Sequence, residues 1–362
     1  GRSPIVVAHG KNVNVAEEST WANLVHSVES GATVLEVDLQ MLKPRSGFLG
    51  EFFVFHDPTP HRLVRGYRTP PEKEAEFIRS SRELAEQKQG QYDFYLFDRM
   101  GTFTPEDDKA TLWIHDERSG RSYEPILLDE ILAAIRRPGS FDVPRHLART
   151  AEGHQVEVPA ARVTHPQPVF YYLDLKDINP LARRLIRLSC WDWERNSWST
   201  SRLVAYTRAL FSSLSAVLTR CEAHDKVFVA VRHEALADMV REIDPRIKIM
   251  ASTERAVAAT PVREFVVELQ RFEPHHPELV EVKFLGHIVE PELHGEARAR
   301  GWQLFYNEIV QTDRSQFEGR YEGNLPLLIK DILAPSPDVF IQTNTVPELV
   351  DLLKRLPEAR AR

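Results

Sequence analysis

The sequence predicts an α/β protein, and within that class a closed (β/α)8 TIM barrel. Short runs rich in β-branched and aromatic residues recur along the chain, and segments with helical periodicity lie between them. This alternation is typical of parallel βαβ units, and eight such runs fit a closed barrel. No G-x-G-x-x-G sequence follows the first run, so an open doubly wound sheet is the second choice.

The predicted strands share a run of mostly aliphatic, aromatic or β-branched side chains bounded by polar or turn residues. They are 4–9, 32–39, 51–56, 168–176, 226–233, 247–252, 302–309 and 338–343. Such runs are expected where a strand is buried on both faces. The predicted helices are 17–31, 127–137, 201–221, 234–243, 290–301 and 347–356. The first of them ends at Gly31, a residue that favours helix termination.

One connection is far longer than the others, because residues 58–167 separate the third predicted strand from the fourth. Connections of this length are usually functional or form a small inserted subdomain. We therefore expect one barrel domain over 1–362, with a long insertion after strand 3 that caps one end of the barrel. The alternative is an irregular excursion, but the aromatic segment 92–103 favours at least partial order.

The composition narrows the classes of partner. The 362 residues carry a formal net charge of −7, so the basic face that nucleic-acid binding needs is not expected. Apolar residues make up 42% of the chain, which is enough for a sizeable core. No apolar run approaches the about 20 residues that a membrane-spanning helix needs.

The compartment is left open by the sequence. The chain begins at Gly1 rather than at Met, which is consistent with a processed start and with either a cytoplasmic or a secreted protein. The tryptophan-rich segment 191–198 is interpreted first as a packing corner and second as a peripheral membrane contact. Nothing in the sequence indicates an obligate protein partner.

Polar side chains lie at or near the carboxyl ends of most predicted strands. In a TIM barrel this end carries the active site. The residues are His9, Lys11, Asn12, Glu36, Asp38, His56, Asp57, Asp174, Lys176, Arg232, His233, Asn307 and Glu308. We expect them to converge at one mouth of the barrel, with Arg232 and Asn307 lining the pocket.

Three carboxylates in this set predict a metal site. Glu36 and Asp38 are two residues apart on one strand, so both side chains point to the same face, and Asp174 and Lys176 share a face by the same rule. Carboxylates that point into a barrel are costly unless they are paired or bind a cation. Oxygen ligands suit Mg²⁺ or Ca²⁺, and Mg²⁺ commonly completes its shell with water and substrate phosphate.

Two histidines next to this cluster predict acid–base chemistry. A single histidine at a strand end is more often structural, but His9 and His56 follow two different strands. One imidazole can accept a proton while the other donates one. Cleavage of a phosphodiester needs a base or nucleophile on one side and an acid for the leaving oxygen on the other, while the metal and Lys176 balance the phosphoryl charge.

The sequence resembles the superfamily of glycerophosphodiester phosphodiesterases, which includes sphingomyelinase D and related phospholipase D toxins. The resemblance rests on short motifs in a shared order and spans most of the chain outside the insertion. The motifs are "AHG" at 8–10, "EES" with Thr20, "GATVLEVDL" at 31–39, "HDPT" with Arg62 and Gly66, "EPILLDEIL" at 124–132, "LDLK" at 173–176 and "PDVFIQTNTVPELVDLL" near the end.

The resemblance implies a role for each matched residue. His9 and His56 match the two catalytic histidines of the family, and Glu36, Asp38 and Asp174 match its metal ligands. Lys176 matches a basic residue that faces the phosphate. Asp57 matches the second member of a His-Asp pair, and Glu18 falls where one branch of the family has a glutamate near the metal.

The sequence also departs from the family pattern. The usual arginine after the first histidine is absent, so Lys11 or Asn12 is expected to contact the phosphate instead. Asp174 in place of glutamate resembles the sphingomyelinase D branch. Asn307 lies near the position of a family tryptophan, so a choline cation loses its aromatic face.

The leading hypothesis is a metal-dependent phosphodiesterase that acts on glycerophosphodiesters or lysophospholipid-like molecules. A sphingomyelinase D-like reaction that forms a cyclic phosphate is the alternative within the same class. A catalytically silent barrel that binds a partner comes next. In a further alternative, Lys11, Lys176 and Arg232 hold the carboxylates in a purely structural role without metal.

Overall fold

The computed structural model describes residues 4–10, 17–41, 51–56, 63–64, 113–176, 191–192, 197–198, 200–252, 261–282, 291–310 and 338–355. Lys11, Asn12, Asp57 and about half of the long insertion (58–62 and 65–112) lie outside these ranges.

The strands within the described residues are numbered in chain order. They are β1 (Ile5–Ala8), β2 (Val34–Met41), β3 (Phe52–Val54), β4 (Ile114–Asp116), β5 (Arg121–Tyr123), β6 (Ser140–Val143), β7 (His146–Arg149), β8 (Gln155–Val158), β9 (Ala161–Thr164), β10 (Phe170–Leu175), β11 (Trp191–Asp192), β12 (Ser197–Trp198), β13 (Val227–Val231), β14 (Ile249–Ala251), β15 (Leu279–Val282), β16 (Leu304–Val310) and β17 (Phe340–Thr343).

The α-helices are numbered in the same way. They are α1 (Trp21–Glu29), α2 (Leu128–Ala134), α3 (Thr200–Arg220), α4 (Glu234–Ile243), α5 (Val262–Gln270), α6 (Pro291–Arg300) and α7 (Val346–Lys354). Helix α1 begins where the Thr20 hydroxyl accepts a hydrogen bond from the Asn23 N–H. It is followed by Gly31, whose φ of 110° lies in the region that glycine tolerates.

Eight parallel strands close into a barrel, as the sequence predicts. Their order is β1, β17, β16, β15, β14, β13, β10 and β2, and β2 pairs again with β1 to complete the circle. The first strand and the last pair along their whole length, from Ile5 beside Phe340 to Ala8 beside Thr343. The polar carboxyl ends of these strands therefore meet at one mouth.

The predicted third barrel strand needs correction. Residues 51–56 do form a strand, β3, but it pairs antiparallel with the end of β2, with Leu39 beside Val54. Phe53 and the following Phe55 are buried against the insertion, where they pack with Leu63, Val64 and Ile114, whereas Phe52 packs in the main core. Burial outside the barrel produces the same apolar run as burial inside it, so the pattern did not distinguish the two.

The sequence did not predict β15, which is a barrel strand. This strand is short and contains Glu281, so it lacks the continuous apolar run of its neighbours. It nevertheless pairs in parallel with both β14 and β16. The barrel therefore has the predicted eight strands, but β15 takes the place that the sequence assigned to β3.

The barrel interior divides into an apolar half and a polar half. The apolar half is built on aromatic rings: Tyr172 stacks on Phe228 at 5.3 Å, and Phe305 meets Tyr172 edge-on at 5.5 Å. Val7, Val34, Met250 and Leu279 complete this inner cluster. Two residues further toward the carboxyl end of most barrel strands, the inward-facing side chains become polar, so the aromatic rings form a floor beneath the mouth.

The described part of the insertion consists of small antiparallel sheets and one helix. Strands β4, β5, β7 and β8 form one sheet, and β6 pairs with β9 in another. The β6–β9 pair lies beside α1, where Trp21 meets Phe141 with ring centroids 6.2 Å apart. That the insertion 58–167 caps one end of the barrel stays a prediction, because 58–62 and 65–112 lie outside the described residues.

Helix α2, within the predicted insertion range, is tied to the barrel wall. The Tyr171 hydroxyl on β10 donates a buried hydrogen bond of 2.6 Å to the carbonyl of Ile131. The substitution Tyr171→Phe removes this donor and keeps the ring. We expect the free energy of unfolding to fall by about 1 kcal/mol, measured by urea denaturation.

The matched control is Tyr123→Phe, because Tyr123 is partly buried on β5 and has a ring contact with His146. It should change the free energy of unfolding by less than about 0.5 kcal/mol. Equal losses in the two variants would show that the hydrogen bond to α2 does not stabilise the fold.

Candidate active site

The polar half of the barrel contains three buried carboxylates on two neighbouring strands. Glu36 and Asp38 on β2 and Asp174 on β10 are at most 5% exposed. The parallel register sets Asp174 directly beside Asp38 and Tyr172 beside Glu36. One oxygen of each carboxylate lies within 4.8 Å of the others. We call these three residues the carboxylate cluster.

Lys176 bridges two members of the carboxylate cluster. Its Nζ lies 2.8 Å from Asp38 Oδ1 and 2.7 Å from Asp174 Oδ2. Arg232, just beyond β13, adds a hydrogen bond of 3.3 Å from Nη2 to the other oxygen of Asp174. Both cations therefore face the side of the cluster that β10 provides.

These charges decide which carboxyl groups ionise easily. Burial opposes ionisation of Asp174, but Lys176 and Arg232 outweigh it and hold the pKa of this carboxyl below its usual range. Burial also opposes the charge of Lys176, yet Asp174, Asp38 and Glu36 outweigh it and raise the pKa of the ammonium group above its ordinary value. The Lys176–Asp174 pair is thus charged throughout the neutral range.

Glu36 is in the opposite situation. Burial, followed by the charges of Asp38 and Asp174, raises the pKa of Glu36 well above its ordinary value. Its Oε2 accepts a hydrogen bond of 3.1 Å from the Gly10 N–H. The excess of negative charge around Glu36 is the condition that a bound cation would relieve.

The donor set of the carboxylate cluster fits a hard divalent cation. All three ligand atoms are carboxylate oxygens, which Mg²⁺ and Ca²⁺ prefer to nitrogen or sulfur. Within the described ranges, no other set of His, Cys, Asp and Glu side chains brings three ligand atoms this close together. The residues that could hold a metal are therefore Glu36, Asp38 and Asp174.

His9 lies beside the carboxylate cluster at the end of β1. Its Nε2 is 3.4 Å from Glu36 Oε2, and its Nδ1 is hydrogen-bonded to Asn344 Oδ1. Because an amide oxygen only accepts, Nδ1 is the donor, and Nε2 of the neutral ring carries the lone pair. Asn344 thus orients the ring so that its basic nitrogen faces the cluster.

Gly10 allows this close approach. A Cβ atom at this position would lie 2.9 Å from Asp38 Oδ2 and 3.3 Å from the Glu36 carbonyl oxygen. Any side chain there would force Gly10 or the Asp38 carboxylate to shift. Glycine in the "AHG" motif therefore has a steric role at the site.

His56 is placed by backbone hydrogen bonds to β2. The Phe55 N–H donates to the Asp38 carbonyl at 2.9 Å, and the buried Gln40 side chain donates through Nε2 to the His56 carbonyl at 2.9 Å. These bonds hold the end of β3 against the strand that carries two of the three carboxylates. Asp57, the next residue, lies outside the described residues.

The remaining predicted residues are distributed around the mouth. Glu18 is buried in the turn before α1, at 2% exposed, but it is not among the carboxylates that approach one another within 4.8 Å. Asn307 lies on β16, where its Nδ2 donates to Glu281 Oε1 at 2.9 Å. Lys11 and Asn12 are outside the described residues, so their contact with phosphate stays a prediction.

Several polar residues at the mouth were not predicted from the sequence. Asn344 follows the last barrel strand and Gln40 lies on β2 two residues after Asp38, so the period-two rule could have found Gln40. Glu281 and Gln342 lie on β15 and β17. Glu281 was missed because its strand was missed.

Within segment 191–198, strands β11 and β12 pair antiparallel, with Trp191 beside Trp198. In the part of the chain that the structure describes, no helix combines the length and the apolar character needed to cross a bilayer. A peripheral membrane contact at 191–198 stays a prediction.

Solved structures of glycerophosphodiester phosphodiesterases resemble this protein in fold, although no match is found at the level of sequence. No family model matches the sequence, and no curated protein matches it. A glycerophosphodiester phosphodiesterase from Parabacteroides distasonis superposes with a TM-score of 0.52 at 10% identity and covers 100% of both chains.

Two further solved structures agree. A protein assigned to the same family from Galdieria sulphuraria gives a TM-score of 0.53 at 16% identity, over 97% of this chain and 98% of its own. The enzyme from Thermotoga maritima gives 0.50 at 13% identity, over 97% and 99%. The chain therefore has the (β/α)8 barrel fold of the glycerophosphodiester phosphodiesterases.

Proposed function

We propose that the protein is a metal-dependent phosphodiesterase that cleaves glycerophosphodiesters at the carboxyl end of its barrel. The observation that carries this proposal is the carboxylate cluster with Lys176 and His9 beside it, all at the mouth where barrel enzymes react their substrates. Structural likeness to glycerophosphodiester phosphodiesterases supports the same class of reaction.

Glu36, Asp38 and Asp174 would hold the metal, with Mg²⁺ as the proposed ion and Ca²⁺ as the alternative. A bound divalent cation acts as a Lewis acid on a phosphoryl oxygen. Lys176 and Arg232 lie on the Asp174 side of the cluster, where their charges add to the stabilisation of a phosphoryl group. Burial of all three carboxylates keeps water away and strengthens these interactions.

His9 is assigned the role of base, because Asn344 leaves the lone pair of Nε2 facing the cluster. It takes a proton from the attacking water as the new P–O bond forms. His56 gives its proton to the leaving alcohol oxygen as the old P–O bond breaks. The products are then a phosphomonoester and a free alcohol. Attack by a hydroxyl of the substrate itself would give a cyclic phosphate, which phosphorus NMR of the products distinguishes.

The variants His9→Ala and His56→Ala each remove one proton-transfer group. We expect kcat/KM for a glycerophosphodiester to fall at least about 100-fold in each, with the circular dichroism spectrum unchanged. His154→Ala is the control, because His154 is exposed. Activity at the level of the control in either variant contradicts the assigned role of that histidine.

Metal binding predicts a stability effect that does not depend on turnover. Mg²⁺ at about 100 times its Kd should raise the free energy of unfolding by about 2.7 kcal/mol, seen as a higher Tm. Asp174→Asn removes a ligand and should abolish most of this increase. The exposed Asp225 provides the matched control Asp225→Asn, which should keep it. If the Tm of the wild type changes neither with Mg²⁺ nor with chelator, the carboxylates have a purely structural role.

The raised pKa of Glu36 predicts a pH dependence in the metal-free protein. The folded protein keeps a proton on Glu36 that the unfolded chain has already lost, so the free energy of unfolding falls as pH rises from the ordinary glutamate pKa to the raised one. The slope is at most about 1.4 kcal/mol per pH unit. Urea denaturation in chelator should show this decline in the wild type and a flatter profile in Glu36→Gln. An identical decline in both proteins would assign it to another group.

A further inference from the structure

A second polar group faces the barrel interior on the strands that do not carry the carboxylate cluster. Asn307 on β16 donates through Nδ2 to Glu281 Oε1 on β15 at 2.9 Å, and Gln342 on β17 donates through Nε2 to Asn307 Oδ1 at 2.9 Å. We call these three residues the amide–carboxylate chain. It runs across three adjacent strands, and the inward-facing Phe305 precedes it by two residues on β16.

The amide–carboxylate chain and its neighbour Ser252 present open hydrogen-bond acceptors. Glu281, Gln342 and Ser252 are 1%, 2% and 0% exposed. Within the part of the chain that the structure describes, Glu281 Oε2, Gln342 Oε1 and Ser252 Oγ have no hydrogen-bond partner. Ser252 comes next after Ala251, which pairs with Val280, so it is level with Glu281. A buried polar atom without a partner costs about 1–3 kcal/mol, so packing alone does not account for three of them.

The Glu281 carboxylate receives little help from the described residues around it. Asn307 donates a hydrogen bond to it from a neutral amide. Among the described residues, no lysine, arginine or histidine forms an ion pair with it, whereas Asp38 and Asp174 both pair with Lys176. A buried carboxylate whose donor among the described residues is a neutral amide would be stabilised by a positive charge on a bound ligand.

The amide–carboxylate chain faces the same barrel interior as the carboxylate cluster. Tyr172 precedes Asp174 by two residues on β10, and Phe305 precedes Asn307 by two residues on β16. The two rings meet edge-on with centroids 5.5 Å apart, so the inward-facing polar side chains that follow them lie above the same aromatic floor. A phosphodiester at the cluster would direct one of its two ester groups toward Glu281.

We propose that Glu281, with Gln342 and Ser252, binds a primary ammonium group on the alcohol moiety of the phosphodiester substrate. An ammonium group carries one positive charge and three N–H donors, so it can pair with the Glu281 carboxylate and still donate to other open acceptors. A trimethylammonium group has the charge but no N–H donor, and a glycerol group has donors but no charge. This inference rests on the proposed function, because it assumes that a phosphodiester occupies the cluster.

The test compares three diesters of sn-glycerol 3-phosphate, with ethanolamine, choline and glycerol. We expect kcat/KM of the wild type for the ethanolamine diester to exceed that for the choline diester by about tenfold. In Glu281→Gln, which keeps the shape and removes the charge, this ratio should fall about tenfold. Glu292→Gln is the matched control, since Glu292 is exposed on α6, and it should keep the wild-type ratio.

A binding measurement separates this inference from the proposed hydrolysis. Calorimetric titration of His56→Ala with the ethanolamine and choline diesters reports selectivity without turnover, and the same titration of the His56→Ala/Glu281→Gln double variant tests Glu281. Selective binding without wild-type turnover supports the ammonium site and contradicts the hydrolase. Turnover of all three diesters at similar rates, or a ratio unchanged in Glu281→Gln, overturns the ammonium site and leaves the hydrolase standing. A preference for the glycerol diester above both others also overturns it. If Glu281→Gln fails to fold, Gln342→Met takes its place. A ratio of ethanolamine to choline kcat/KM below that of the wild type then supports the ammonium site, and an unchanged ratio overturns it.

Discussion

The interaction on which the site depends is the contact of Lys176 with two buried carboxylates. Parallel pairing of β2 with β10 places Asp38 and Asp174 side by side, and Glu36 faces the same interior. Carboxylates this close in a water-poor interior repel one another strongly. Lys176 offsets the repulsion for Asp38 and Asp174. Glu36 instead accepts a hydrogen bond from the Gly10 N–H and lies beside the His9 imidazole. The pairing of β2 with β10 therefore brings mutually repelling carboxylates together and, by the same proximity, makes them suited to bind a cation.

The rest of the barrel is arranged around this polar mouth. The aromatic floor around Tyr172 and Phe228 fills the lower interior and closes it to solvent. Outside the strands, a continuous apolar cluster joins the barrel to its helices. Stability is thus supplied by the apolar layers, which leaves the carboxyl ends free to carry polar groups that packing alone would disfavour. Glu281 extends this polarity to the opposite wall.

Much of this arrangement could be predicted from the sequence, and the features that were predicted wrongly or missed have physical explanations. The period-two rule places Glu36 with Asp38, and Asp174 with Lys176, on shared faces, because alternation depends only on the local backbone. Register between strands depends on tertiary packing, so the pairing of Asp38 with Asp174 was not predictable. Strand β3 was misassigned to the barrel because its two buried phenylalanines give the apolar run of a barrel strand, although Phe53 packs against the insertion. Strand β15 was missed because Glu281 interrupts a very short apolar run.

The most direct test is the position of a metal ion in a crystal grown with Mn²⁺, located by anomalous scattering. If the carboxylate cluster binds a divalent metal, we expect one strong peak among the oxygens of Glu36, Asp38 and Asp174, at a distance of about 2.0–2.3 Å from each. We also expect the peak to be lost in Asp174→Asn. A well-ordered site in which Lys176 bridges Asp38 and Asp174, with no peak between the three carboxylates, would contradict metal binding by the cluster.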